Sequence, residues 1–265
     1  MKQAALKVKL LAFTPEPETA AALGARLCYS DSGIEDLQES VAPKAGAMVE
    51  RLMEYGHLSP IEHASFTFGV EGVSRSLLAQ LTRHRIASFC VQSQRYVAKP
   101  EGTSCVLPPS IEALGAAAAA EYERQMDAIN GFYAYWLNAG VPAEDARFLL
   151  PNAAETRLLV TMNARELLHF FSLRCCMRAQ WEIRRLAWLM LGLARREAPA
   201  LFVKAGPACA HGACTEGKMS CGAAAAVRAL DEALAALCAD RADDDAIRRW
   251  VLANIGGCEK KKEQE

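Results

Sequence analysis

A chain of 265 residues, 52% of them hydrophobic, can fill a sizeable core in one large domain or two ordinary ones. Its formal net charge of -1 excludes a general nucleic-acid coat and a polybasic membrane anchor, both of which need a broad excess of positive charge. The most apolar run, LAWLMLGLA at 186–194, is bracketed by Arg184, Arg185, Arg195 and Arg196. It is far short of the ~20 residues that span a bilayer and reads as a buried helix.

The N-terminal MKQAALKVKLLAF lacks a long apolar core followed by a cleavage site, so the reading is of a chain that is not exported. Ten cysteines are then expected to be reduced thiols in a cytoplasmic protein. KVKLLAF (7–13) alternates as a strand, and PEPETAAALGARLCYS reads as a helix opened by prolines and acids. APKAGAMVERLMEYG is an amphipathic helix closed at Gly56. In GHLSPIEH, Ser59, Pro60 and Glu62 match a capping box with proline at the first helical position. ASFTFGV (64–70) predicts a half-buried strand with Phe66, Phe68 and Val70 on one face.

SRSLLAQLTRHR has helical spacing at Leu77, Leu78 and Leu81, and its arginines suit the negative end of a helix dipole. Ile86 to Gln94 reads as a loop leading to a strand near Arg95. Ile111 to Ala139 is alanine-rich and helical, EDARFLLP is a short helix stopped by Pro151, and ETRLLVTMN is a strand. Asn163 and Glu166 cap the helix NARELLHFFSLR, and AQWEIRRLAWLMLGLARR forms the next one. CAHGACTEGKMSCG holds Cys209, Cys214, Cys221 and His211 at spacings unlike the paired CxxC of zinc sites, so it reads as a glycine-rich loop without metal. Two helices follow, then a lysine-rich tail expected to be disordered. The resulting domain reading is a catalytic domain at 1–205, a Cys/Gly loop at 206–222, a helical extension at 223–256 and the tail at 257–265.

Between Glu71 and Glu101 stand Arg75, Arg83, Arg85, Arg95 and Lys99 without one carboxylate. Guanidinium groups suit bidentate contact with phosphate, and Ser88, Gln92, Ser93 and Gln94 add orienting hydrogen bonds, so a nucleotide fits this inventory. In the helix from Asn163, eleven residues at ~100° each return Arg174 to the face of Asn163, about 16 Å away, with Leu167 and Phe170 on the same face. Of the nearby cations Arg147, Arg157 and Arg165, the last two are first assigned to salt bridges or solvent.

RHR followed by seven residues and a serine, here Arg83, His84, Arg85 and Ser93, resembles the signature of the flavin-dependent thymidylate synthases. Ser88, Arg95 and Tyr96 fit the longer pattern, while Cys90 replaces its asparagine and Val91 a position that is often acidic. The likeness covers about residues 7–205, including GHLSPIEHASFTF and LPNAAETRLLVTMNARELLHFFSLRCCMRAQWEIRRLA. It implies an α+β fold with a mixed central sheet flanked by long helices, extended here by C-terminal helices. It implies reductive methylation of dUMP to dTMP with FAD, with 5,10-methylenetetrahydrofolate as carbon donor and NADPH as reductant, in a homotetramer whose active sites lie between subunits. Flavin contacts are implied for His57, Ser59, Glu62, Arg83, His84, Arg85, Asn163, Arg165 and His169, the last standing where many members have asparagine. Contacts to dUMP are implied for Gln80, Arg83, Gln92, Ser93, Gln94, Arg95, Arg147 and Arg174, with Arg95 and Arg147 on the phosphate. Arg174 is the implied catalytic group, facing charge that develops on the pyrimidine. Ser93 is read as a positioning group and not a nucleophile, because it lacks an established base. No nucleic acid, membrane or metal is expected as a partner. The alternatives are flavin/folate-dependent methylation of uridine in RNA, a non-catalytic nucleotide-binding module, and a Cys/His metal scaffold.

Overall fold

The computed structural model describes residues 3–256. Its strands are β1 (Lys7–Phe13), β2 (Ser65–Ser74), β3 (Ser88–Val91) and β4 (Glu155–Asn163), ordered β1-β2-β4-β3 in one sheet. The helices are α1 (Pro17–Leu27), α2 (Ile34–Val41), α3 (Ala45–Tyr55), α4 (Arg75–Leu81), α5 (Pro109–Glu112), α6 (Ala116–Asn138), α7 (Ala143–Ala146), α8 (Ala164–Arg174), α9 (Trp181–Glu197), α10 (Pro199–Phe202), α11 (Ala208–His211), α12 (Ala224–Ala239) and α13 (Asp244–Asn254). Two compact units interleave in sequence. One comprises Gly69–Arg83, Phe89–Leu159 and the N-terminal segment through Lys7; the other comprises Val8–Phe68, His84–Ser88 and the chain from Val160 onward.

The α+β class follows from the sequence patterns, and the strand pairs are antiparallel. In the first unit Arg75 N–H reaches Ala154 O and Gln92 N–H reaches Arg157 O, and in the second Thr14 N–H reaches Ser65 O while Thr67 and Thr161 hydroxyls meet at 2.9 Å. Parallel pairing occurs at an isolated bridge, Gln3 with Cys105. Gly72 has φ +72°, and a Cβ there would lie 2.0 Å from the Ala5 carbonyl oxygen, so close approach of two backbones requires glycine. Phe66, Phe68 and Val70 are buried as alternation predicts, and Thr156, Leu158, Val160 and Met162 do the same on β4.

In the second unit the core continues as an aromatic chain. Phe66 meets Phe202 at 5.3 Å, Phe202 meets Phe171 at 5.9 Å, Phe171 meets Phe170 at 5.7 Å, and Phe170 meets His84 at 5.0 Å. Helix α9 is buried from Ile183 to Arg195 except at half-buried Arg185. Part of that cover is α12 and α13: Leu234 and Ile247 pack beside Gly192, Trp250 meets Trp188, and Arg195 is buried against Asp231 at 2.8 Å. The 257–265 tail lies outside the described residues.

Four local expectations change. Ser59 has helical φ/ψ (-64°, -39°) instead of the extended angles of an N-cap, its side chain caps nothing, and Pro60–His63 forms a 3-10 turn. Helix α4 stops at Leu81, before RHR, and the strand near Arg95 is absent, its place taken by β3, whose Phe89 and Val91 are half-buried. The alanine-rich segment divides at Gly115, where φ is +101°.

Candidate active site

The second unit contains His84, Arg85, Asn163, Arg165, His169 and Arg174 as well as His57, Ser59 and Glu62. Asn163 ends β4 with extended angles, and its side-chain oxygen accepts the Glu166 N–H at 2.9 Å, which starts α8. Leu167 and Phe170 are fully buried, so α8 presents the face that the sequence assigned to the core. Glu166, Phe170 and Arg174 follow at i, i+4 and i+8 along one stripe. There the imidazole of His84, only 5% exposed, lies between them: Nδ1 is 3.1 Å from Glu166 Oε1, and Arg174 Nε–H donates to Nε2 at 3.1 Å. Burial is the first cause that holds the His84 pKa below the ordinary 6.5, opposed by the Glu166 hydrogen bond and aided by the Arg174 charge.

Around this buried core the candidate flavin groups are open. His57, Ser59, Glu62, Arg85, Arg165 and His169 are exposed, and Arg165 Nη1 pairs with Glu62 Oε1 at 2.5 Å. The pairing bears out the salt-bridge assignment of Arg165 and gives Glu62 a partner other than the expected capping box.

The first unit holds Gln80, Arg83, Gln92, Ser93, Gln94, Arg95 and Arg147. Arg75 Nη2 donates to Gln92 O at 2.9 Å, while its Nε is buried without a hydrogen-bond partner. Burial, and then the charge of Arg147, lower the Arg75 pKa. The two guanidinium groups repel each other, and one of them keeps a buried donor unpaired. Arg147 Nε–H donates to Glu144 O at 3.0 Å. Ser93 Oγ accepts the Arg95 N–H at 3.1 Å and so shapes the turn that holds Arg95. The acid missing around RHR comes from far along the chain: Arg95 Nε is 3.0 Å from Glu144 Oε2. Arg157 lies 3.8 Å from Glu155, again as a salt bridge.

A model of the family described as thymidylate synthase complementing protein matches residues 9–200. The flavin-dependent thymidylate synthase of Geobacter sulfurreducens is 53% identical over 227 residues, covering 85% of this chain and 97% of that one. The chain belongs to the flavin-dependent thymidylate synthases. A second such synthase, from Clostridium tetani, is 45% identical over 245 residues, with 86% of this chain and 98% of that one covered. Among solved structures, the UMP/dUMP methylase PolB from Streptomyces cacaoi bound with 5-Br dUMP superimposes with TM-score 0.67 at 24% identity over 77% of this chain and 96% of that one. That likeness is one of fold.

Within a flavin-dependent thymidylate synthase, two residues now stand out to which the sequence reading gave no site role of their own, Arg75 being counted only within the cation cluster. Arg75 opens α4, where the helix dipole disfavours a cation, and that misfit was a readable sign of an anion or a carbonyl partner. Glu166 was read as a cap alone, although a carboxylate on the stripe of Phe170 signals a buried partner. Among the described residues no group of three His, Cys, Asp or Glu side chains is placed to hold a metal. Arg228 instead donates to the carbonyls of Cys209 and Gly212, and Arg178 to that of Met219, pinning the loop through its backbone.

Proposed function

We propose that this member of the flavin-dependent thymidylate synthases converts dUMP to dTMP. What supports the reading above all is the 53% identity with the Geobacter sulfurreducens synthase across 97% of that protein. The carbon donor is 5,10-methylenetetrahydrofolate, and NADPH is the reductant. When bound, FAD supplies the hydride chemistry that turns the transferred one-carbon unit into a methyl group.

The chemistry of the donor set fits a flavin dinucleotide. Arg85 and Arg165 offer exposed guanidinium groups for its pyrophosphate, and His57, Ser59, Glu62, Asn163 and His169 offer polar groups for its sugars and ring edge. The exposed Arg165–Glu62 pair is weak enough to exchange for a ligand. Arg83 belongs to the same set through the motif. Both ring nitrogens of His84 are engaged within the chain, so a flavin contact from His84 would use its main chain or ring edge.

For dUMP, Arg95 and Arg147 hold the phosphate, and Arg75 adds positive potential next to Arg147. Gln80, Arg83, Gln92, Ser93 and Gln94 orient sugar and base. Arg174 places a fixed cation against the pyrimidine, where it favours negative charge developing on N3 and O4 and makes the ring more reactive toward the carbon donor. Ser93 positions and does not attack: its hydroxyl serves the Arg95 turn. Assembly as a homotetramer is supported by an apolar face of α6, where Phe132, Tyr135 and Trp136 are 62%, 64% and 46% exposed at i, i+3 and i+4.

Anaerobic incubation of the protein with dUMP, methylenetetrahydrofolate and NADPH, with each omitted in turn, tests the reading. Formation of dTMP dependent on all three is expected. Absence of dTMP from flavin-loaded protein refutes it.

A further inference from the structure

Three groups stand in line inside the second unit: the Glu166 carboxylate, the His84 imidazole and the Arg174 guanidinium, joined at 3.1 Å and 3.1 Å. The direction of the line is fixed by chemistry. An arginine Nε bears a hydrogen at every accessible pH and can only donate, so His84 Nε2 must present a bare lone pair. The ring proton then sits on Nδ1 and is donated to Glu166. A neutral imidazole with the opposite tautomer would place a hydrogen against the Arg174 N–H, and an imidazolium would do the same with added charge repulsion.

We infer that Glu166 is a positioning residue for the reaction: by accepting the Nδ1–H of His84 it selects the tautomer whose Nε2 receives Arg174, and so aims the guanidinium that faces the pyrimidine. The middle residue of RHR thereby serves the substrate arginine. This rests on the assignment of Arg174 above. The line is rigid because its inner members are buried, His84 at 5% and Glu166 at 7% exposure. Phe170 stacks edgewise on the imidazole, and Glu166 is anchored through its own N–H to Asn163. The charged and titratable groups facing His84 are Glu166, Arg174 and His169.

Two substitutions separate positioning from bulk. Glu166→Gln retains an oxygen that accepts the Nδ1–H, whereas Glu166→Leu retains volume without an acceptor. Glu166→Leu is expected to lose ~10-fold or more of kcat, with flavin content unchanged, and Glu166→Gln to keep activity within about 2-fold. Because the carboxylate raises the His84 pKa against burial, its removal in Glu166→Gln moves the acid limb of the rate profile to lower pH. In an Arg174→Ala background Glu166→Leu should cost nothing further. Crystal structures supply a readout that is independent of turnover: the Arg174 guanidinium leaves its place in Glu166→Leu and keeps it in Glu166→Gln. An unmoved Arg174 in Glu166→Leu overturns the inference, as do equal losses in both variants or an acid limb that stays put. If the wild-type protein makes no dTMP, the functional reading fails instead, and the crystallographic comparison still decides the role of Glu166. Should Glu166→Leu not fold, the pH profile and structure of Glu166→Gln decide it.

Discussion

Glu144→Gln should tighten dUMP binding, an uncommon direction for a change beside a substrate site. Glu144 Oε2 lies 3.0 Å from Arg95 Nε, and the two side chains are 48% and 51% exposed. If Arg95 binds the phosphate, the substrate displaces this carboxylate, and what it must overcome is the net worth of the pair. An exposed pair contributes about 0.2–1 kcal/mol after desolvation and side-chain ordering are counted. At about 1.4 kcal/mol per tenfold, its removal lowers the dUMP KM by about 1.4- to 5-fold. Glutamine is chosen because the Glu144 main-chain carbonyl receives Arg147 Nε–H, a contact the substitution preserves. Initial rates of dTMP formation against dUMP should be compared at low and high salt, since screening shrinks the difference. Arg95→Ala provides the reference loss. A KM that rises in Glu144→Gln, or one that stays level at low salt while Arg95→Ala raises it, would show that phosphate and Glu144 do not compete.

Arg174→Ala should lose about 10²- to 10³-fold in kcat, the usual cost of removing a group aimed at developing charge, whereas Ser93→Ala keeps measurable turnover. A dead Ser93→Ala enzyme that still binds dUMP and FAD would refute the positioning role. Asp231→Ala leaves the buried Arg195 guanidinium without its 2.8 Å carboxylate, a loss of about 3–5 kcal/mol, so the thermal midpoint should fall by roughly 6–20 °C in a calorimetric scan. A drop of under ~2 °C would mean that α12 does not brace α9 through this pair. Phe132→Glu combined with Trp136→Glu should yield a smaller species by size exclusion with light scattering. An unchanged mass removes the α6 face from the assembly.

How much could be read from the chain depended on whether the decisive partner was near in sequence. Strands β1, β2 and β4 and helices α3, α8, α9, α12 and α13 followed from periodicity, with Gly56 and Asn163 marking the ends of α3 and α8, because those signals are local. Ser59 failed as a cap because a box needs extended angles, and the Ser59–Pro60–Glu62 pattern does not encode the Arg165 that claims Glu62 from 103 residues away. Arg95 looked unpartnered for the same reason, its carboxylate being 49 residues downstream. The stripe on α8 was legible, placing Arg174 on the face of buried Phe170. Its consequence was not, since nothing local says that a histidine 90 residues earlier receives the guanidinium. The motif spelling RHR registers three cations, yet burial of the middle one as a neutral ring makes it a spacer between an acid and an arginine. Such a role depends on which nitrogen holds the hydrogen, and that is set by the donor on one side and the acceptor on the other. Replacing His84 by lysine should therefore be as damaging as its loss, because a lysine ammonium has no lone pair to offer Arg174.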